Sequence, residues 1–213
     1  MDRKRETKPA PTLSVEDYFQ GLSDVIPRLP YADIDAIIAA IMRAHQQGRT
    51  VFLCGNGGSA ATASHMMCDL NKGTGEDAPG PRLKVMALTD NVPLLTAWAN
   101  DASYENVFAG QLRNFVQPGD VLFAISGSGN SANVIQALKV AREAGAVTLG
   151  VTGYQGGKMK RLCDVCAVVP CDNMQMIEDM HHAIAHSIFT VVRDKLHQAP
   201  ARIRAAGAGG SFE

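Results

Sequence analysis

Residues 120–145 read DVLFAISGSGNSANVIQALKVAREAG, and this stretch decides the fold of the chain. Its apolar run from Val121 to Ile125 has the length and composition of a strand that is buried on both faces. A loop of serines and glycines follows, and apolar residues then recur at helical spacing up to Gly145, where a helix C-cap glycine is expected. Strand, small-residue loop and helix together predict an α/β fold. In such a fold, free backbone N–H groups and a helix N-terminus meet at one point, where an anion binds, most often a phosphate.

The composition of this loop, Ser126 to Ser131, narrows the class of ligand. Serine hydroxyls both donate and accept hydrogen bonds, and glycines let the backbone approach a ligand closely. The loop has no lysine, so it is not the loop of nucleoside triphosphatases. Gly127-x-Gly129-x-x-Ala132 fits the dinucleotide fingerprint, but the next strand ends without the acidic residue that would bind a ribose. A single terminal phosphate on a small molecule fits best; a dinucleotide, or a turn without any ligand, remains the alternative.

A second loop of the same kind follows an earlier apolar run, Thr50 to Cys54. It reads GNGGSAA from Gly55 to Ala61. In a parallel sheet, loops at the carboxyl ends of the strands share one edge, so both loops can face the same ligand. This loop also fits the dinucleotide pattern, although Asp90 comes more than 30 residues later instead of the usual distance of roughly 20.

Five short apolar strands alternate with helices along the chain, at 50–54, 84–88, 121–125, 147–152 and 165–170. This order predicts a three-layer α/β sandwich with a five-stranded parallel sheet flanked by helices. Two helices precede the first strand as additions to this core, the second from about Ala32 to Gln47. We expect a disordered lead-in at residues 1–12, one domain at 13–198 and a flexible tail at 199–213.

The composition argues against several classes of protein. The 213 residues carry a formal net charge of -1. This charge gives no indication of a basic surface that would bind nucleic acid. No apolar run reaches the length that spans a membrane. The five cysteines are an odd number in a chain too large to need disulfides. Together with a first segment that lacks the apolar run of a secretion signal, they predict a cytoplasmic protein.

Two helical segments carry polar side chains at a spacing that places them on one face. His65 and Asp69 are four residues apart, and an imidazole and a carboxylate at that distance can share a divalent metal, form a proton-transfer pair or make a simple surface contact. In the long helix near the C-terminus, Glu178, His182 and His186 recur every four residues. Among the surrounding Met, Ala and Ile, such a cluster is costly to bury unless it is paired or bound to metal.

Three motifs taken together, GNGGSAATASH, SGSGNSANV and EDMHHAIAH, resemble those of the sugar isomerase (SIS) domain family. The resemblance covers nearly the whole chain and points to the phosphoheptose isomerases. These interconvert sedoheptulose 7-phosphate and D-glycero-D-manno-heptose 7-phosphate for heptose biosynthesis, an aldose–ketose isomerisation through an enediol. The resemblance therefore implies the SIS fold, an isomerase, a sugar phosphate substrate and a homotetramer with its sites between subunits.

The resemblance also assigns roles to individual residues. Substrate binding falls on Asn56, Gly57, Gly58, Ser59, Asn100, Asp101, Ser126, Gly127, Ser128, Ser131 and Glu178. Ligands of a divalent metal, commonly zinc, fall on His65, Asp69, Glu178 and His186. Asp69 is the first choice for the carboxylate that moves the proton, and Glu178 is its competitor. His186 is the acid/base partner, or a ligand if metal is bound.

Two positions depart from the family pattern. Asp69 stands where the family has glutamate, and Glu178 stands where it has glutamine. These changes could preserve a metal site while altering which group moves the proton, or they could indicate a different sugar phosphate. A SIS protein that binds a sugar phosphate or a protein partner without catalysis is the other alternative. That reading predicts loss of the histidines and carboxylates, which this chain retains.

Overall fold

The centre of the molecule is a sheet of five parallel strands, seen in a computed structural model that describes residues 13–75 and 80–198. The strands are β1 (Thr50–Cys54), β2 (Lys84–Ala87), β3 (Val121–Ile125), β4 (Val147–Thr152) and β5 (Val165–Val168). Their order across the sheet is β2-β1-β3-β4-β5. The predicted five-stranded parallel sheet is confirmed, with β2 and β5 slightly shorter than predicted. The predicted lead-in (1–12) and tail (199–213) lie outside the described residues.

Helices cover both faces of this sheet. Those in the described part of the chain are α1 (Val15–Val25), α2 (Tyr31–Gln46), α3 (Gly58–Gly73), α4 (Val92–Asp101), α5 (Ala109–Phe115), α6 (Ala132–Glu143), α7 (Met159–Leu162) and α8 (Met174–Gln198). The two helices before β1 match the predicted N-terminal additions. Within the described residues, no helix combines the length and the apolar character needed to cross a bilayer.

Neighbouring residues of each strand point to opposite faces of the sheet, and this alternation creates two cores. Leu53 and Phe123 pack with the apolar sides of α2, α3 and α8. Phe52 and Leu122 pack on the other face with α5 and α6. The central strands β1, β3 and β4 are covered on both faces and are almost entirely buried, which is typical of a parallel sheet, whereas the edge strand β2 exposes Lys84 and Met86.

A small network at the N-terminus starts α1 and ties it to α8. The Ser14 hydroxyl accepts a hydrogen bond from the Asp17 backbone N–H, and the Asp17 carboxylate accepts one from the Ser14 N–H, both at 3.0 Å. This capping box satisfies donors that the helix leaves free. One turn further, the Tyr18 hydroxyl donates to Asp179 on α8 at 2.7 Å. The hydrogen bond to Asp179 raises the pKa of Tyr18 to about 12.

His181 on α8 faces the core and is only 1% exposed. Neither ring nitrogen has a hydrogen-bond partner among the described residues. The nearby Thr152 backbone has a minor effect and raises the pKa of the imidazole. Burial dominates and lowers the pKa of His181 to about 4. The folded protein therefore keeps this imidazole neutral at pH values where the unfolded chain takes up a proton.

The stability of the protein is expected to fall as the pH drops through this window. The unfolded chain binds the extra proton below pH 6.5 and the folded protein only near pH 4, so acid favours unfolding between these values. Between pH 7 and pH 5 we expect His181 to account for a loss of roughly 2 kcal/mol. Denaturant unfolding of metal-free protein at both pH values measures this loss. The His181→Leu variant should lose correspondingly less stability over the same range, and an identical loss in both proteins would contradict the assignment.

Candidate active site

The two predicted substrate loops lie side by side, because β1 and β3 are neighbours in the sheet. Asn56 in the first loop and Asn133 at the start of α6 exchange two side-chain hydrogen bonds, of 2.9 and 2.8 Å. The Tyr104 hydroxyl donates a third, to Asn56 Oδ1 at 3.0 Å. These contacts hold the Asn56 side chain between the loops.

Neither Asn133 nor Tyr104 was predicted to belong to the site. Asn133 is close to the second loop in sequence, but one asparagine in the first turn of a helix carries no distinctive signal. Tyr104 is 48 residues from Asn56, and only the folded chain brings the two together.

The second loop presents its serines at the N-terminus of α6. The Ser126 and Ser131 hydroxyl oxygens are 3.3 Å apart, and Ser128 Oγ accepts a hydrogen bond from the Asn130 N–H at 3.2 Å. Ser131 is the N-cap of α6, yet its side chain makes no capping hydrogen bond. Hydroxyls and the positive end of a helix dipole therefore meet at one place, which suits a phosphate group.

The first turns of α8 lie against both loops. At Gly127, an added Cβ would lie 2.6 Å from the Met174 sulfur, and at Gly58 it would lie 2.9 Å from Glu178 Oε2. Glycine at these two positions thus permits the close approach of α8. The Glu178 carboxylate lies at the N-terminus of α3, where the dipole of that helix favours a negative charge.

The remaining predicted substrate residues differ in their surroundings. Gly57 is the N-cap of α3 with a φ of +54°, a conformation that glycine adopts without strain, and the Ser59 side chain is buried. The sequence suggested a turn at Asn100 and Asp101, but the structure places both in the last turn of α4. Asn100 donates to Asp101 Oδ1 at 2.8 Å. Asp101 lines a groove on the surface of α4, and no residue of the Ser/Gly loop lines this groove.

Further along α8, three of the four residues predicted to bind metal meet. His65 Nε2 and His186 Nε2 are 3.4 Å apart, and Asp69 Oδ2 lies 3.5 Å from the first and 3.7 Å from the second. About half of each imidazole side chain is exposed, so an ion can reach them. Glu178, the fourth predicted ligand, does not join this cluster, because its carboxylate packs against Gly58.

A residue that the ligand prediction omitted lies in the cluster instead. The ring of His182 is centred 4.8 Å from the ring of His65 and 4.5 Å from that of His186. One nitrogen from each of the three rings lies within 4.8 Å of the others. Burial, with the two neighbouring imidazoles adding to it, lowers the pKa of His182. The spacing of four residues between His182 and His186 was the signal that could have identified it.

The chain is similar to known proteins over most of its length. The sequence pattern of the SIS domain matches residues 17–153. The phosphoheptose isomerase of Rhodospirillum rubrum is 42% identical over 181 residues, which are 84% of this chain and 92% of that protein. That of Aliarcobacter butzleri is 44% identical over 151 residues, 71% of this chain and 79% of that protein.

A solved structure gives the same match in three dimensions. The phosphoheptose isomerase from Neisseria gonorrhoeae superimposes with a TM-score of 0.78 and 30% sequence identity. The overlap covers 84% of this chain and 97% of that one. At this identity and coverage, the similarity extends over most of the chain.

Proposed function

The chain belongs to the SIS domain family and, within it, to the phosphoheptose isomerases, and from this premise we propose that it interconverts sedoheptulose 7-phosphate and D-glycero-D-manno-heptose 7-phosphate. The reaction would be an aldose–ketose isomerisation through an enediol. The observation that carries this proposal is the course of α8, whose first turns touch both loops and whose later turns carry His186 beside His65 and Asp69.

The loop from Ser126 to Ser131 would hold the phosphate group. Its hydroxyls and the open N-terminus of α6 offer donors to a dianion. His186 follows Met174, which packs on this loop, by 12 residues, so the histidine cluster lies about 18 Å further along the helix. A seven-carbon sugar phosphate spans only about 10–12 Å when extended, so the phosphate loop of one subunit would act together with the histidine cluster of a neighbouring subunit, as in a site between subunits. Binding energy at the phosphate is then used to orient the reacting carbons.

Isomerisation requires a group that takes a proton from one carbon and returns it to the next. We assign this role to Asp69, with Glu178 as its competitor. Asp69 directs Oδ2 at the two imidazoles, which leaves Oδ1 for the proton. His186 would act as the acid/base partner, or as a metal ligand in the metal-bound enzyme, because one ring nitrogen cannot serve both purposes.

The cluster also fits a divalent metal, for which zinc is our proposal. Two imidazole nitrogens 3.4 Å apart with a carboxylate oxygen within 4 Å of both form a donor set that zinc prefers. His65, Asp69 and His186 would hold it. When bound, the metal would polarise the substrate carbonyl as a Lewis acid.

We further propose that the functional unit is one domain, residues 13–198, that assembles as a homotetramer with sites between subunits. An apolar groove of about 350 Å³ between α2 and α8, lined by side chains such as Ile34, Ile38, Met180 and Val191, supports such packing. A cytoplasmic location is supported by five cysteines that are all free.

A panel of C5 to C7 ketose and aldose phosphates, assayed with and without chelator, tests the function. We expect the highest turnover with sedoheptulose 7-phosphate and a loss of activity when metal is removed. Preference for another sugar phosphate would keep the isomerase and change its substrate, as the presence of Asp69 and Glu178 at the two divergent positions allows. Binding without turnover across the panel would favour a non-catalytic sugar-phosphate-binding protein.

The hydrogen bonds around Asn56 give a test of the first loop. Replacing Asn133 by alanine removes the two hydrogen bonds that it exchanges with the part-buried Asn56 and leaves only the bond from Tyr104; loss of a hydrogen-bond partner costs about 1–3 kcal/mol. We expect KM for the sugar phosphate to rise about tenfold, with a smaller change in kcat. Steady-state kinetics measures this change. Tyr104→Phe, which removes a single bond, serves as the graded comparison, and an unchanged KM in Asn133→Ala would show that the hydrogen bonds from Asn133 do not position Asn56 for the substrate.

A further inference from the structure

We infer that His182 is a metal ligand in this chain and takes the place that the family resemblance gave to Glu178. The ligand set is then three imidazoles, from His65, His182 and His186, together with the Asp69 carboxylate. This inference rests on the metal site of the proposed isomerase and changes its composition.

The distances between the imidazole rings are compatible with binding to one metal ion. In a tetrahedral site with Zn–N bonds of about 2.0–2.1 Å, two ligand nitrogens stand about 3.3 Å apart. His65 and His186 are already at that separation, 3.4 Å. A nitrogen of His182 lies within 4.8 Å of both, so a side-chain movement of about 1–2 Å brings it to ligand distance.

Glu178 lies at the N-terminal end of α3, away from these rings. Its carboxylate oxygens lie against Gly58 at the first turn of α3. His65 is seven residues further along the same helix, which corresponds to about 10 Å. Within the subunit, Glu178 is therefore directed at the substrate loop, while His182, one turn closer to His186, faces the other ligands.

The spacing of the four residues along α3 and α8 also supports this ligand set. His65 and Asp69 are four residues apart on α3, and His182 and His186 are four residues apart on α8. Two side chains at this spacing share one face of a helix, and a pair of histidines so placed is a common zinc-binding element. The two helices pack together, with Phe189 of α8 against Gly73 of α3. Each helix thus supplies two of the four ligands that zinc takes in a closed tetrahedral set.

Metal affinity, measured without substrate, tests this ligand set. Competition with a chromophoric chelator gives Kd for Zn²⁺ in the wild-type protein and in the His182→Gln, His182→Ala and Glu178→Ala variants. We expect Kd to rise by more than about 100-fold in both His182 variants, above the range of roughly 10- to 100-fold seen when only an outer partner of a ligand is lost. In Glu178→Ala, which removes every donor atom of this side chain, we expect a change of less than about threefold, because that carboxylate is not a ligand.

A second measurement on the wild-type protein does not depend on the variants being folded. Long-range ¹H–¹⁵N spectra of the histidine rings, recorded during titration with one equivalent of Zn²⁺, report which ring nitrogens bind metal. We expect His65, His182 and His186 all to shift. A shift confined to His65 and His186, a rise in Kd below 100-fold in folded His182 variants, or an equal rise in Glu178→Ala would overturn the inference. A protein that binds Zn²⁺ through His182 but converts no sugar phosphate would instead refute the proposed reaction alone.

Discussion

Replacement of Asp69 by asparagine is expected to lower kcat by about 10²- to 10⁴-fold, the contribution of a positioned proton-transfer group. Asparagine has the same size and can still offer an oxygen to the neighbouring imidazoles, but its amide cannot accept the substrate proton. The phosphate loop is formed by other residues, so we expect the affinity for inorganic phosphate, used as a competitive inhibitor, to stay within about threefold of the wild type. Steady-state kinetics at saturating zinc measures both quantities.

The matched control is Asp69→Glu, which installs the residue that the family resemblance implies at this position. It keeps a carboxylate and adds one methylene, so we expect it to retain most of the wild-type kcat. The zinc content of each preparation is determined on the same samples, which separates loss of metal from loss of proton transfer. Unchanged turnover in metal-loaded Asp69→Asn would remove Asp69 from the proton path and leave Glu178 as the remaining carboxylate.

Replacement of Gly129 by alanine is expected to lower the free energy of unfolding by about 2–4 kcal/mol. Gly129 has a φ of +64°, a conformation that costs other residues about 1–2 kcal/mol. An added Cβ would also overlap the carbonyl oxygen of Gly156, and such overpacking typically costs about 1–3 kcal/mol. Because the Met159 N–H donates to the Gly129 carbonyl at 3.1 Å, relief of the overlap would displace the serine loop and raise KM. Denaturant unfolding and steady-state kinetics measure the two effects.

Gly48 provides a control with nearly the same backbone conformation. Its φ is +66°, but no atom lies within 4 Å of an added Cβ. Gly48→Ala should therefore show only the conformational cost, about 1 kcal/mol after the reduced entropy of the unfolded chain is included. KM should not change, because Gly48 follows α2 and is remote from the serine loop. Equal losses of stability in the two variants would show that the contact between the loop at Gly129 and Gly156 is not tight.

The arrangement of the two substrate loops could be predicted from sequence because it follows from a general property of parallel sheets. Strand patterns at β1 and β3 placed both loops at the carboxyl edge, and the order of the sheet brings them together. The pairing of Asn56 with Asn133 and Tyr104 could not be predicted in this way. It depends on how α6 and the segment after α4 sit over that edge, and local sequence patterns do not encode such positions.

The histidine cluster shows a different limit of sequence reasoning. The spacing of four residues placed Glu178, His182 and His186 on one side of α8, but not the direction in which each side chain extends. The contact between Glu178 and Gly58 decides this direction, and it exists only because α3 and α8 pack. At Asn100 and Asp101, the polar pair suggested a turn, whereas α4 continues through both residues. The helix here is capped at its start by Asn91, whose side chain accepts from the Leu94 N–H at 3.0 Å.

The central claim is that this protein moves the carbonyl of a phosphorylated sugar between adjacent carbons with the carboxylate of Asp69. The most direct measurement is ¹³C NMR of sedoheptulose 7-phosphate labelled at carbon 2, incubated with metal-loaded wild-type protein and, in parallel, with Asp69→Asn. We predict that the labelled ketose signal is replaced by that of a CHOH carbon in the wild-type sample alone, and that unphosphorylated sedoheptulose is left unchanged. A labelled signal that persists with the wild-type protein, or that disappears equally fast with the variant, would contradict the account.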